Sequence, residues 1–229
     1  MTAGDLFWTR RAVVFDLDGT LVDTLDGLHA ALNEALHEHG CAPVTRSLVR
    51  RSMHGGFDAS VRAALQHHAD AAVSEPAVLQ SYRDRYGAGM AAWSSVYPGV
   101  RDVLERQRAR RCRLAVCTNR DESTAIALLE GLRLRSCFDT VIGRRDGVEP
   151  KPHPRPLLLA LQALAVPPGD ALMLGDSDLD VACAAAAGVP CLVFEGGYGA
   201  AGLAERSGSA SFASYAALLR AEPQMEPHP

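Results

Sequence analysis

Asp16 and Asp18 stand two apart at the end of an apolar run, in the segment Phe15-Asp16-Leu17-Asp18-Gly19-Thr20. Along an extended strand, residues two apart share a face. Two carboxylates that close repel each other and are costly to desolvate, so the pair needs open solvent or a cation. Gly19 permits a turn that a residue with a Cβ would resist. Three further segments carry groups that could work with this pair: Thr118-Asn119, Lys151 within Glu149-Pro150-Lys151-Pro152-His153-Pro154, and Gly175-Asp176-Ser177-Asp178-Leu179-Asp180. Carboxylates with waters suit Mg²⁺, a hard cation that prefers oxygen ligands. A hydroxyl and an ammonium beside such an ion suit a phosphoryl group. Lys151 stands out because the other 22 of the 23 basic residues are arginine. A lone lysine points to a place where a compact ammonium is needed and a guanidinium does not fit.

These segments need elements to bring them together. Short apolar runs with little alternation recur at Val13–Leu17, Leu114–Cys117, Thr140–Ile142, Ala171–Leu174 and Cys191–Phe194, the pattern of strands buried on both faces. Helical patterns lie between them at Val100–Arg111, Glu122–Glu130, Arg155–Leu164 and Asp178–Ala187. Alternating strands and helices predict an α/β fold, a doubly wound parallel sheet. In such a sheet the ligand site lies outside the carboxyl ends of the strands, where all four segments fall. From the first strand to the second the chain runs about 95 residues, against roughly 30 for an ordinary βαβ unit. Residues 23–93 therefore read as an inserted helical domain, with helices at Asp26–His39, Thr45–Met53, Phe57–Ala69 and Pro76–Ala92, and with Leu28, Ala31, Leu32, Ala35 and Leu36 on one apolar face. Leaving just after Asp18, this insertion is expected to sit over the site. The core then comprises residues 1–22 and 94–221, and the Pro-rich residues 222–229 read as a disordered tail.

With 229 residues, 48% of them hydrophobic, and a net charge of −4, the chain reads as a globular protein with no electrostatic case for nucleic acid or an anionic membrane. No apolar stretch is long enough for a membrane span. Six cysteines, none in a CxxC pair, predict reduced thiols in a cytoplasmic protein.

Taken in order, DLDGT at 16–20, the apolar run ending in Thr118, Lys151 in KPHP, and GDSDLD at 175–180 resemble the motifs of haloacid dehalogenase superfamily phosphatases. The resemblance is to the capped, phosphoglycolate-phosphatase-like kind and covers roughly residues 12–200. It implies that Asp16 attacks phosphorus to form an aspartyl-phosphate, and that Asp18 protonates the leaving oxygen and then deprotonates water. It implies Mg²⁺ on the Asp16 carboxylate, the Asp18 main-chain carbonyl and Asp176, with Asp180 orienting ligands or pairing with Lys151. Thr118, Asn119 and Lys151 would hold the phosphoryl oxygens. Dehalogenases of the superfamily do not need the second aspartate, so Asp18 favours phosphate chemistry. The family's lysine motif often reads KPDP, and His153 here reads as a variable loop residue.

Blander readings compete: a calcium or structural turn for Asp16 and Asp18, a strand-end cap for Thr118, helix capping for Asp176 and Asp180. Asp178 fits a helix N-terminal acid better than a metal ligand. Residues 197–202 match GxGxxG, but too little chain follows for a dinucleotide unit, and the segment reads as a loop near the site rim. Pro150 before Lys151 excludes a Walker A loop. His29, His37, His39, His67 and His68 lack a matching ligand set. In the insertion, Arg50, Arg51, His54, Gly55 and Gly56 are the candidates to read the substrate. The resulting expectation is an Mg²⁺-dependent phosphatase of a small phosphorylated metabolite, such as phosphoglycolate or a sugar phosphate. The rivals are a phosphomutase similar to β-phosphoglucomutase, a dehalogenase, and a non-catalytic binding protein on the same fold. The sequence leaves substrate and oligomeric state open.

Overall fold

Ala12, Val13, Val14 and Phe15 are each fully buried, which is why this run shows no polar alternation: both faces of the strand are covered. The structure, a computed structural model, describes residues 2–66, 73–199 and 201–223. In chain order the elements are α1 (Ala3–Trp8), β1 (Ala12–Phe15), β2 (Val22–Asp23), α2 (Leu25–Glu38), α3 (Arg46–Ser52), α4 (Gly56–Leu65), α5 (Glu75–Gly89), β3 (Ser95–Val96), α6 (Val100–Ala109) and β4 (Arg113–Asp121). They continue as α7 (Glu122–Gly131), β5 (Thr140–Arg144), α8 (Arg155–Leu164), β6 (Ala171–Gly175), α9 (Asp178–Ala186), β7 (Cys191–Phe194), α10 (Leu203–Ser207), β8 (Ala210–Phe212) and α11 (Tyr215–Arg220). The chain forms two units, Met1–Leu21 with Val96–Pro229, and Val22–Ser95.

In the first unit a six-stranded sheet runs β5-β4-β1-β6-β7-β8 with parallel pairings throughout, the α/β architecture expected. Alternate residues of the strands feed two layers. Ala12, Val14, Ala115, Cys117, Ala171 and Met173 pack with Leu157, Leu161 and Leu164 of α8 and Cys183 and Ala184 of α9. On the other side Phe15 meets Phe7 and Phe138 edge-on, with ring centroids 6.5 and 6.1 Å apart. Each large side chain so buried contributes roughly 1.5–3 kcal/mol. β1 lies between β4 and β6 with Phe15 opposite both Val116 and Leu174, so the carboxyl ends of these three strands are level.

Several elements differ from the sequence expectation. β4 does not stop at Cys117 but continues to Asp121, its register with β5 shifting between Cys117 and Asp121. Thr118 and Asn119 thus lie within the strand, at its irregular stretch. α6 ends at Ala109, before the predicted Arg111, because Arg111 takes a left-handed φ of 61° and turns the chain into β4. α1, β8 and α11 had no strong apolar period. Caps define both helices: Thr2 and Asp5 form a capping box on α1, and the Ser214 hydroxyl accepts from Ala217 N at α11. Glu222, expected in a disordered tail, is instead ion-paired to Arg106 at 2.5 Å and Arg110 at 3.7 Å; residues 224–229 lie outside the described residues.

In the second unit α2 buries Leu28, Ala31, Leu32, Ala35 and Leu36, the face its spacing predicted. α5 buries Val78, Tyr82 and Tyr86, and Phe57 of α4 packs edge-on to Tyr82 at 4.6 Å and Tyr86 at 5.7 Å. Arg85 ties α5 to α2 through Glu34 and Glu38. His67 and His68, and the predicted end of the α4 pattern at Ala69, lie outside the described residues. No helix of the described residues is long and apolar enough to cross a membrane.

Candidate active site

Asp16 is the first residue past β1, and its amide donates to Leu174 O of β6 at 2.8 Å. That pairing fixes the side chain at the level carboxyl ends of β1, β4 and β6. Lys151 reaches the same point. Its Nζ donates to Asp16 Oδ1 at 2.7 Å, Asp180 Oδ1 at 2.6 Å and Cys117 O at 2.9 Å, which uses all three ammonium hydrogens. Burial works against the Lys151 charge, but Asp16 and Asp180 outweigh it and hold the ammonium well above the usual lysine range. A guanidinium could not meet three acceptors arranged around one nitrogen, which accounts for the single lysine in an arginine-rich chain.

Asn119 engages the backbone of this lysine. Its Nδ2 donates to Lys151 O at 2.9 Å and its Oδ1 accepts from Lys151 N at 2.8 Å. These two bonds use one Nδ2 hydrogen and the amide oxygen, so Asn119 has a second Nδ2 hydrogen beyond its contacts with the Lys151 backbone. Thr118 remains at the site. It is buried, and its hydroxyl oxygen accepts from Arg120 N at 3.2 Å, leaving its hydrogen to donate.

Asp176 and Asp180 come from the β6–α9 turn. Ser177 caps α9 and Asp180 stands at its third position, a capping box in which Asp180 Oδ2 accepts from Ser177 Oγ at 2.6 Å and Ser177 N at 3.1 Å. Its other oxygen takes Lys151, so the capping role and the lysine-pairing role belong to one carboxylate. Asp178 is exposed and pairs with Arg206 at 3.6 Å, away from the cluster. Asp176 Oδ1 accepts from the Thr20 hydroxyl at 2.8 Å, and Oδ2 accepts from Tyr198 N at 2.7 Å and Gly199 N at 3.3 Å. The Gly-rich segment that imitates a dinucleotide loop is thus a cradle for Asp176: a Cβ at Gly197 would lie 2.2 Å from Asp176 Cβ. Gly19, at φ +85°, likewise approaches Asp176, where a Cβ would be 2.6 Å from Oδ2. Tyr215 of α11 braces this turn by donating its hydroxyl to Thr20 O at 2.9 Å.

Carboxylate oxygens of Asp16, Asp176 and Asp180 lie within 4.8 Å of one another, all three buried. Burial, then the charge of Asp180, pushes Asp176 up to about 7. Burial also drives Asp16 well above the usual carboxylate range, although Lys151 opposes it. Three carboxylates against one ammonium leave two negative charges, and a hard divalent cation fits that oxygen donor set. The Asp18 carboxylate is not one of these three. Arg120 grips it through Nε and Nη2, a partner the sequence reading did not single out. Thr20, Ser177, Tyr198 and Gly199 were also missed as supports, although the first two sit inside the motifs that drew attention to the site.

The residues expected to read the substrate lie in the second unit. Arg50 and Arg51 are exposed in the last turn of α3, and Met53–Gly55 forms a 3₁₀ turn before α4. Gly55 has a packing reason to be glycine, since a Cβ there would lie 2.5 Å from Ala59 Cβ.

A parallel sheet with a buried carboxylate at the end of a central strand, a buried lysine beside it and a carboxylate cluster that fits a divalent ion is an arrangement suited to phosphoryl-group hydrolysis. The family model for haloacid dehalogenase-like hydrolases matches residues 13–194, and the chain belongs to that family. It is an enzyme, a phosphoric monoester hydrolase. A phosphoglycolate phosphatase of Rhodospirillum rubrum is 41% identical over 214 residues, 91% of this chain and 89% of that protein. One from Chromobacterium violaceum is 39% identical over 193 residues, 82% of this chain and 86% of its own. Among solved structures, a predicted phosphoglycolate phosphatase from Haemophilus somnus 129PT superposes with a TM-score of 0.86 at 26% identity, covering 93% of this chain and 97% of that one. CbbY from Rhodobacter sphaeroides in complex with phosphate gives 0.77 at 28% identity, covering 91% and 96%.

Proposed function

We propose that this enzyme is a Mg²⁺-dependent phosphatase whose substrate is phosphoglycolate. Asp16 is the nucleophile: its carboxylate attacks phosphorus and the ester oxygen departs, giving an aspartyl-phosphate. Asp18, held by Arg120, gives its proton to the leaving oxygen and then takes one from the water that hydrolyses the intermediate. The Thr118 hydroxyl donates to a phosphoryl oxygen, Lys151 reaches another by exchanging one of its three present acceptors, and its charge aims Asp16 and favours the ionised form against burial. Asn119 fixes the backbone of Lys151. Asp16, Asp176 and the main-chain carbonyl of Asp18 would hold the metal, which supplies positive charge to the phosphoryl group when bound. The observation that carries this reading is the Lys151 ammonium shared between Asp16 and Asp180, which leaves the cluster two charges short of neutrality. Phosphoglycolate itself is supported by the relatives at 41% and 39% identity, both named for that activity, and these also favour water over a sugar hydroxyl as acceptor.

The test is phosphate release from a panel of phosphorylated metabolites with Mg²⁺, phosphoglycolate and β-glucose 1-phosphate among them. Phosphoglycolate should give the highest kcat/KM, and Asp16→Asn should abolish turnover in a folded protein. Near-wild-type hydrolysis by that variant would remove Asp16 as nucleophile; faster turnover of another substrate would replace phosphoglycolate.

A further inference from the structure

The first unit has a concave site at the end of β1 opposite Asp16. Arg11 precedes β1 and Asp16 follows it, so the two ends of that strand are roughly 17 Å apart. At the amino-terminal end lies a cavity of about 720 Å³ whose walls include Trp8, Arg10, Arg11, Arg110, Arg111 and Arg113. A smaller cavity of about 260 Å³ shares Arg10 and Arg11 with it. Among the described residues no carboxylate lines the larger cavity.

Topology assembles these arginines. Arg10 and Arg11 lead into β1, and residues 110–112 form the turn from α6 into β4, which opens on Arg113. β1 and β4 are neighbours, with Ala12 opposite Arg113, so the two basic runs meet. Arg111 occupies the left-handed region at φ 61°, an unfavourable place for a residue with a Cβ.

The positive charge is only partly answered. Arg11 pairs with Asp170 at 3.1 Å, Arg113 with Asp139 at 3.4 Å and Arg110 with Glu222 at 3.7 Å. The first two pairs are well exposed on their arginine side, and exposed pairs contribute little and yield readily to a better anion. Arg10 and Arg111 make no ion pair among the described residues. Arg10 gives Nη1 to Gly169 O at 2.7 Å, while its Nε is buried with no hydrogen-bond partner. A buried guanidinium N–H left without an acceptor is costly. Burial pushes the neighbouring Cys112 thiol up to about 12, so it adds no negative charge to the wall. Five guanidinium groups thus line one cavity of a chain whose net charge is −4.

We propose that this cavity binds a small polyphosphate anion, the di- or triphosphate group of a phosphorylated metabolite, at a site separate from the catalytic centre. Guanidinium forks match phosphate oxygens two at a time. Five forks exceed what one carboxylate or one orthophosphate can engage, and the volume lies in the range of small-ligand sites.

The chain has two tryptophans, Trp8 and Trp93, so Trp93→Phe leaves Trp8, whose ring lies 5.6 Å from Arg110 Cζ, as a reporter inside the cavity. Tripolyphosphate is titrated into this full-length protein in EDTA while Trp8 emission is followed. A saturable change is expected, and Arg10→Gln with Arg111→Asn should weaken it about tenfold or more while phosphatase activity is kept. Arg113→Gln is the alternative should the double variant fail to fold. Adding Asp16→Asn should leave the titration unchanged. No response up to about 10 mM, equal affinity in the arginine variants, or loss in the Asp16 variant would overturn the site. A stronger response to a short oligonucleotide than to tripolyphosphate would overturn the small-anion assignment.

Discussion

Arg120 holds Asp18 with both arms of its fork, Nε donating to Oδ2 at 3.0 Å and Nη2 to Oδ1 at 2.5 Å. The Arg120 side chain is 5% exposed and that of Asp18 17%, so solvent screens the pair little. A planar guanidinium bound at two points fixes both the position and the plane of the carboxylate. Arg120 lies two residues beyond Thr118 on the irregular stretch of β4. One segment therefore carries the Thr118 hydroxyl and the anchor of Asp18, the proposed acid/base.

Arg120→Gln removes that anchor. It is expected to lower kcat by about 10- to 100-fold, a part of what general acid–base catalysis supplies, while KM moves far less. Arg120→Lys keeps the charge without the fork and should recover only part of the loss. Steady-state kinetics on an aryl phosphate measure both, and an unchanged kcat in the glutamine variant would show that Asp18 needs no such support.

Lys151→Met tests the charge balance at Asp16 and Asp180. It leaves two buried carboxylates without their ammonium, and breaking a buried pair costs about 3–5 kcal/mol. Denaturant unfolding should register that loss together with the disappearance of turnover. Lys151→Arg should restore neither fully, because the three acceptors surround a single nitrogen. Full activity in the arginine variant would contradict this account of why the chain keeps one lysine.

The core of this site was legible because its residues are short-range motifs at strand ends. The apolar runs located β1, β4 and β6, and the parallel sheet rule then placed Asp16, Lys151 and Asp176 together. Supports that depend on tertiary approach were not legible. Nothing in the local pattern says that Asn119 turns to the Lys151 backbone, or that Tyr198 and Gly199 give their amides to a carboxylate 22 and 23 residues away. The spacing of residues 197–202 even suggested a different ligand, because close backbone approach demands glycine whether the partner is a pyrophosphate or an aspartate. α1 and α11 escaped notice for another reason: each has six residues, too few for a helical period, and their caps define them.

Asp176 makes stability depend on pH and metal together. Burial holds it at about 7 in the folded chain against an ordinary value of 3.8. A carboxyl raised on folding favours the native state most below its unfolded value, and the advantage is lost as pH rises through about 7. The gap between 3.8 and about 7 corresponds to about 4 kcal/mol in the metal-free protein. A divalent cation at the cluster offsets the charge and releases the proton. Thermal melts in EDTA should therefore give a lower Tm at about pH 8 than at about pH 6, and Mg²⁺ should raise Tm more at the higher pH. Equal increments at the two values would sink the linkage.

Gly197→Ala separates the cradle from the ligand it holds. The added methyl would sit 2.2 Å from Asp176 Cβ, so the loop must retreat and the Tyr198 and Gly199 amides leave Oδ2. Losing hydrogen bonds to a metal-holding carboxylate typically weakens metal affinity about 10- to 100-fold. The Mg²⁺ concentration giving half-maximal activity should rise by that factor, with activity approached again at saturating metal. Gly87→Ala is the matched control: nothing lies within 4 Å of its added Cβ, and it stands inside α5. Replacing a helical glycine there should stabilise by about 0.5–1 kcal/mol and leave the metal dependence unchanged. A metal dependence unmoved by Gly197→Ala would mean that the loop amides do not position Asp176 for its ion.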